Sequence, residues 1–198
     1  MITFLPQESF PTAIRLEKDF LSDIVIDKFF KFIKDIPYKE AEIHSQEDTD
    51  NHRSSKIKWI PHEEPFMDLY FKCRDYIGNQ NSYHWKFDID SGWENFQYTE
   101  YRSDTKGHYD WHVDIGPTFA SYRKLSMVIQ LSNPEEYEGG DLQIFDPIVS
   151  DENFPYKSVP KKKGSIIVFP SFLPHRVTPV TGGIRKSLVW WVGGDHLR

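Results

Sequence analysis

A single cysteine, Cys73, stands in 198 residues, so the chain has no partner for an internal disulfide. Zinc ribbons and iron–sulfur clusters need several thiolates and fall with it. A reducing, cytoplasmic setting is the expectation. Basic residues are also in short supply: Lys+Arg 24 against Asp+Glu 30 leaves a formal charge of -6. A general nucleic-acid binder needs a basic face for phosphate, so no nucleic-acid partner is expected. Nowhere does an uninterrupted apolar run approach the roughly 18 residues of a membrane span. The first residues also lack a basic stretch followed by an apolar one, so neither a membrane partner nor secretion is expected. Internal repeats and low-complexity tracts are missing as well.

What the chain does have is aromatic bulk, with six Trp, ten Tyr and fifteen Phe. A chain of this length can bury roughly 70% of its unfolded surface and fold as one domain over residues 1–198. Two regimes meet near residue 95. Before it, Ile26, Phe29, Phe30, Ile33 and Ile36 recur at three- and four-residue steps, which predicts a helix from Asp23 to Ile36, capped by Ser22 and stopped by Pro37. Phe66, Leu69, Tyr70, Cys73 and Ile77 predict a second helix from Pro65 to about Ile77. The polar stretch from His44 to Ser55 reads as a loop. The triplet Lys161–Lys163 reads as a solvated turn. After residue 95 the pattern becomes strand-like, with candidates at Phe96–Tyr101, Ser126–Leu131, Asp141–Phe145, Ser165–Phe169, His175–Pro179 and Lys186–Val192.

Chemistry concentrates in HYDWHVD. On a strand, His108, Asp110, His112 and Asp114 alternate and would share one face. A His and a carboxylate two apart, joined by a distant His, can form the two-His-one-carboxylate face that holds Fe(II) with open positions. Spacing alone does not choose the pair. With eight His and 30 acidic residues, about one His-x-acid match arises by chance, and the chain has three, at His62/Glu64, His108/Asp110 and His112/Asp114. The first lies between prolines in WIPHEEPF and reads as a loop.

The stretches QYTEYRSDTKGHYDWHVD, LSMVIQLSNPEEYEGGDLQIF and KKKGSIIVFPSFLPHRVTPVTGGIRKSLVWWV together resemble the core of the prolyl-4-hydroxylase-like and PKHD-type 2-oxoglutarate- and Fe(II)-dependent dioxygenases. The resemblance covers residues 97 to 192 and extends weakly upstream through Trp59 and WKFDID. Tyr101, Gly107, Tyr109, His112 and Asp114 match the family's first motif, which selects His112/Asp114 over His108/Asp110. The Phe169–Ser171 turn, His175, Arg185 and Ser187 match the second. One departure is RSDTKGH, which lacks the usual glycine-rich character and puts His108 and Asp110 next to the metal pair, either as groups that orient its ligands or as solvated residues at the barrel mouth.

The resemblance implies a mainly β chain with N-terminal helices, an α+β arrangement whose residues 96–192 form a double-stranded β-helix, a distorted jelly roll, supported by residues 1–95. It implies Fe(2+) on His112, Asp114 and His175. It also implies 2-oxoglutarate as cosubstrate, chelated by its 1-carboxylate and 2-oxo group, with the 5-carboxylate deep in the barrel. A buried anion needs a partner, and the fork of Arg185 is the fitting one. Ser187 would add a hydrogen bond, Tyr101 would donate its hydroxyl toward the cosubstrate, and Gln130 is a further candidate contact. Tyr109 would line the entrance or pack on the far face. Trp111 and Trp191 are core or pocket wall.

The implied reaction consumes O2, releases succinate and CO2 and hydroxylates an unactivated C–H, first of all on a prolyl residue of a peptide or protein, with ascorbate as a reductant. Alternatives are a hydroxylase of a free amino acid or other small molecule, and a non-catalytic jelly-roll module that binds a ligand. A metal oxygenase without 2-oxoglutarate would have no use for Arg185. The segments 44–58 and 146–160 are candidate lids, through which Arg53, Lys58 and Trp59 would meet the substrate.

Overall fold

A computed structural model of the chain describes residues 13–40, 52–90, 94–146 and 156–195. In chain order the strands are β1 (Arg15–Glu17), β2 (Lys39–Glu40), β3 (Arg53–Ser54), β4 (Lys56–Ile60), β5 (Phe96–Arg102), β6 (His108–His112) and β7 (Arg123–Gln130). They continue as β8 (Tyr137–Gly139), β9 (Leu142–Phe145), β10 (Tyr156–Ser158), β11 (Ile166–Pro170), β12 (His175–Val177) and β13 (Val180–Gly193). Helix α1 (Asp23–Phe32) precedes β2, and α2 (Met67–His84) precedes β5. The larger antiparallel sheet runs β1-β11-β7-β13-β5-β4-β2 with β8 attached to β13, and the smaller runs β10-β9-β12-β6-β3. This is the expected jelly roll.

The period-two alternation of strands explains how one sheet serves two cores. Phe96 and Tyr98 of β5, Met127 and Ile129 of β7, and Leu188 and Trp190 of β13 pack with Ile26, Phe29, Tyr70, Cys73 and Ile77 of the helices. The alternate residues face the smaller sheet: Tyr101, Val128, Ile167 and Phe169 meet Leu142, Ile144 and Val177. The larger sheet therefore packs against the helices on one face and the smaller sheet on the other.

Three local expectations need correction. Helix α1 ends at Phe32, well before Pro37. Just past its end, the carbonyls of Ile33 and Lys34 accept from the Lys58 ammonium at 2.8 and 3.4 Å, so a cation on β4 caps the helix C-terminus. Lys58 thus points toward α1, away from the cavity, and is 4% exposed. Helix α2 extends to His84, because the next buried position after Ile77 is filled by Asn81. Its side-chain amide donates to Phe87 O and accepts from Phe87 N, so a polar residue continues an apolar stripe. The lysine triplet leads into the expected turn with Lys162 exposed, and its ammonium groups meet surface carboxylates there: Lys161 with Asp141, Lys162 with Asp19 and Lys163 with Asp23. Among the described residues, no helix is long and apolar enough to cross a membrane. Of the candidate lids, residues 44–51 and 147–155 lie outside the described residues.

Candidate metal centre and cosubstrate pocket

Strands β12 and β6 pair so that His175 stands opposite His112. Asp114 follows β6, where its backbone N–H donates to Ser171 O at 2.9 Å. The FPS turn is thereby tied to the first motif. One ligand atom from each of His112, Asp114 and His175 lies within 4.8 Å of the others. His175 Nε2 is 3.4 Å from Asp114 Oδ2, and His112 Nε2 is 3.8 Å from Asp114 Oδ1.

Each imidazole places its Nδ1 against a backbone carbonyl, His112 on Asp110 O at 2.7 Å and His175 on Leu173 O at 2.9 Å. With Nδ1–H donating there, the Nε2 lone pairs are the free ones, and they converge on the carboxylate. Burial, reinforced by His175, pushes the His112 imidazole down to about 3, so it is neutral. Burial alone would raise the Asp114 carboxyl, but the His175 and His112 rings and the Ser126 hydroxyl outweigh it and hold it below its ordinary value. Two imidazole nitrogens and one carboxylate at a common point are a donor set for a divalent ion of the Fe(II) type.

The HYDWHVD face is not the simple alternation the spacing predicts. His175 pairs with His112 and Val177 with Tyr109, so three steps along β6 match two along β12. This bulge swings Tyr109 onto the side of His112, where the two rings stack with centroids 3.4 Å apart. Bulges re-aim side chains in this way. Asp110 is exposed and accepts from Trp111 N, and His108 places its Nδ1 on Lys106 O. Neither belongs to the cluster, and nor do His62 and Glu64.

A cavity of about 500 Å³ opens from this face and is lined by Tyr101, Arg185, Ser187 and Trp191 at its larger-sheet wall. Arg185 lies opposite Tyr101 in the β13–β5 register, with its guanidinium 5.4 Å from that ring. It donates to Gln130 Oε1 at 3.0 Å and to Ser187 Oγ at 3.3 Å. Arg185 is 1% exposed, its Nε–H has no partner, and among the described residues no carboxylate lies within ion-pair distance. A buried cation without an anion is costly, and a carboxylate entering the cavity would relieve that cost. Tyr109, Trp111 and Trp191 also line the cavity, so Tyr109 faces in rather than away.

Several participants carry no spacing signal. Ser126 of β7 donates to Asp114 Oδ2 and meets Ser171 Oγ. Arg123 holds Glu94 by two 2.6 Å bonds, donates to Asp114 O, and lies 3.9 Å from the Trp191 ring. Ser126 and Gln130 were readable in one respect, as polar residues at alternate positions of an otherwise apolar strand. Arg123 and Glu94 were not.

The fold and the site together define a jelly roll whose sheets enclose a two-His-one-carboxylate face beside a buried, unpaired arginine. Residues 96–193 match the profile of the 2OG-Fe(II) oxygenase superfamily. The family implies Fe(2+) and 2-oxoglutarate, which the donor set and the unpaired Arg185 fit. The chain is similar to a PKHD-type hydroxylase of Synechococcus sp. (strain CC9311), with 40% identity over 91 residues, 46% of this chain and 39% of the relative. It is also similar to one of Hyphomonas neptunium, with 40% identity over 88 residues, 42% of this chain and 37% of the relative. The matches thus span about two-fifths of the length of these curated relatives. Among solved structures, a Pseudomonas putida prolyl-4-hydroxylase superposes with a TM-score of 0.70 at 20% identity, covering 93% of this chain and 94% of the other. A prolyl hydroxylase of Trichoplax adhaerens, in complex with a hypoxia inducible factor peptide fragment, gives 0.73 at 15% identity, covering 91% and 83%.

Proposed function

We propose that this protein is an Fe(II)- and 2-oxoglutarate-dependent dioxygenase that hydroxylates an unactivated C–H bond, first of all on a prolyl residue of a peptide or protein, with release of succinate and CO2. The observation that carries it is Arg185, a cation sealed in the same cavity as the His-Asp-His face with no carboxylate beside it among the described residues. That pairing suits a ligand with a carboxylate at one end and a chelating group at the other. The prolyl choice draws on the PKHD-type relatives and on the shared fold of the Trichoplax protein, which holds a peptide.

In this reading His112, Asp114 and His175 hold the metal, and Arg185 with Ser187 holds the 5-carboxylate of 2-oxoglutarate. Gln130 fixes one side of the Arg185 fork, and Tyr101 covers its face. Ser126 orients the Asp114 carboxylate, and Tyr109 braces His112 by stacking. Bound there with O2, Fe(II) and 2-oxoglutarate supply an oxidant able to break an aliphatic C–H bond. The protein's own part is binding, orientation and exclusion of water. Residues 96–192 carry the site, and the helices α1 and α2 buttress the larger sheet. Ascorbate serves as the reductant, and a reducing cytoplasm suits the lone Cys73.

The test is an anaerobic titration of the Fe(II)-loaded protein with 2-oxoglutarate, following the visible metal-to-ligand charge-transfer band, with Asp114→Ala alongside. The expected result is a band in the parent that is missing in the variant. A folded, iron-loaded parent that gives no band overturns the reading and favours the ligand-binding module.

A further inference from the structure

The chain as a whole is acidic, yet its cavity is cationic. Asp114 is the one carboxylate among the described lining residues, against Arg53, Arg123 and Arg185. Most of these charges are matched. A divalent ion would be balanced by Asp114 and the 1-carboxylate of the cosubstrate, and Arg185 by its 5-carboxylate. Arg123 is neutralised in place by Glu94. Arg53 is left over. Its Nε–H donates to the neutral Ser55 hydroxyl at 2.8 Å, and among the described residues no carboxylate lies within ion-pair distance of it.

Its placement is as informative as its charge. Strand β3 pairs with β6 so that Arg53 stands opposite Tyr109. The guanidinium carbon lies 4.6 Å from the Tyr109 ring centroid, and that ring in turn stacks on His112. One aromatic ring therefore separates the cation from a metal ligand. A guanidinium held over a ring keeps in-plane N–H donors available for a carboxylate fork. Arg185 cannot serve this purpose, because it lies at the deep wall and belongs to the cosubstrate.

We propose that Arg53 is an anion-binding subsite of the substrate cavity, and that the substrate carries a carboxylate close to the carbon that is oxidised. Taken with the prolyl reading, on which the peptide form of this statement rests, the substrate is a proline-containing peptide with an acidic side chain or a free C-terminal carboxylate beside the proline. The local cation selects this group despite the overall negative charge, because interactions beyond a Debye length of about 8 Å are screened at physiological salt.

Blocked five-residue peptides test this, with Glu, Gln or Lys placed on either side of a central Pro, together with a peptide ending in Pro with a free carboxylate. A parallel set has Ala in place of Pro. Binding is measured by calorimetry on protein loaded with Mn(II) and 2-oxoglutarate, and hydroxylation on the Fe(II) form. The Glu or free-carboxylate peptides should bind roughly three- to tenfold more tightly than the Gln peptides, and Lys peptides should bind most weakly. In Arg53→Gln the preference should fall below about twofold, while Arg53→Lys keeps it. Mn(II) affinity measured on each variant separates loss of selectivity from damage to His112. The ratio of Glu to Gln affinities is the readout, which a purely structural role for Arg53 would not move. A parent without charge preference, a preference that survives in Arg53→Gln, or no binding by any anionic peptide overturns the subsite. Charge preference without hydroxylation of any prolyl peptide overturns the prolyl reading and leaves the subsite standing. Hydroxylation without charge preference does the reverse.

Discussion

Ser126 Oγ, in the middle of β7, donates a 2.6 Å hydrogen bond to Asp114 Oδ2 and lies 3.0 Å from Ser171 Oγ just past β11, so the carboxylate that completes the metal face is held by one hydroxyl that a second hydroxyl contacts in turn. Such bonds fix a ligand's orientation and its ionisation. Replacing Ser126 with Ala removes the donor from a buried carboxylate oxygen and frees the side chain to rotate. Metal affinity should fall roughly tenfold or more, as read by titrating Mn(II) against a competing chelator. An unchanged affinity would mean that the Asp114 backbone contact to Ser171 holds the ligand by itself.

Arg185 makes a separate, metal-independent prediction. Anything that binds the folded state alone stabilises it by mass action. With Mn(II) present, saturating 2-oxoglutarate should raise the Tm of the parent by roughly 5 °C or more. In Arg185→Gln the metal should still stabilise, and 2-oxoglutarate should add almost nothing. Equal shifts in both proteins would detach Arg185 from the cosubstrate.

The β-rich half of the chain was legible because its strands are long and apolar on the faces that matter. Phe96–Arg102, Arg123–Gln130 and Val180–Gly193 were found to within a few residues except at the start of the last, where Gly182 and Gly183 interrupt the apolar pattern. The strands β2, β3 and β4 were missed, since the two-residue β2 and β3 carry no period to detect, and the alternation of Lys56, Ile57, Lys58 and Trp59 in β4 is too short to stand out beside a polar loop. In the site, His112, Asp114, His175 and Arg185 were readable through their motif, and the structure brings them into one cavity. The bulge in β6 was not readable, because a bulge depends on what the partner strand does. It turns Tyr109 inward beside His112 and leaves Asp110 outside. Arg123 and Glu94 were equally hidden: they meet across 29 positions of sequence, and each alone looks like a surface charge.

Gly140 sits where a side chain has no room. Its φ is +61°, and a Cβ there would lie 2.9 Å from Val180 Cγ2 and 3.1 Å from Arg185 Cδ. Gly140→Ala therefore strains the backbone by about 1 kcal/mol and pushes on the arginine stem. The KM for 2-oxoglutarate should rise severalfold, while Mn(II) affinity stays within twofold. If both affinities drop together, the substitution has disturbed the barrel rather than Arg185.

Glu94 and Arg123 form a partly buried, two-pronged ion pair under Trp191. Removing one charge of such a pair leaves the other desolvated and unmatched, which costs more than the pair itself contributes. Glu94→Gln should lower stability by roughly 1–3 kcal/mol in urea unfolding. The double variant Glu94→Gln/Arg123→Met should recover part of that loss. A single variant as stable as the parent would place this pair among the surface bridges that contribute little.

Acid should weaken the metal-free protein earlier than its carboxylates alone would. Burial holds His112 at about 3 in the folded state, against roughly 6.5 for a free imidazole. The unfolded chain therefore binds the extra proton throughout the window between these values, and stability falls as pH drops through it. Above pH 6.5 the contribution is fully present. Asp114, held below its ordinary value, acts in the same direction at still lower pH. The urea midpoint of metal-free protein should be level from pH 8 to 7 and decline below about 6.5, with His112 contributing up to about 1.4 kcal/mol per pH unit. In His112→Gln the slope between pH 6 and 5 should lessen by that one proton. A parent equally stable at pH 7.5 and pH 5 would show that His112 accepts a proton without unfolding, and the neutral, metal-ready imidazole would have to be abandoned.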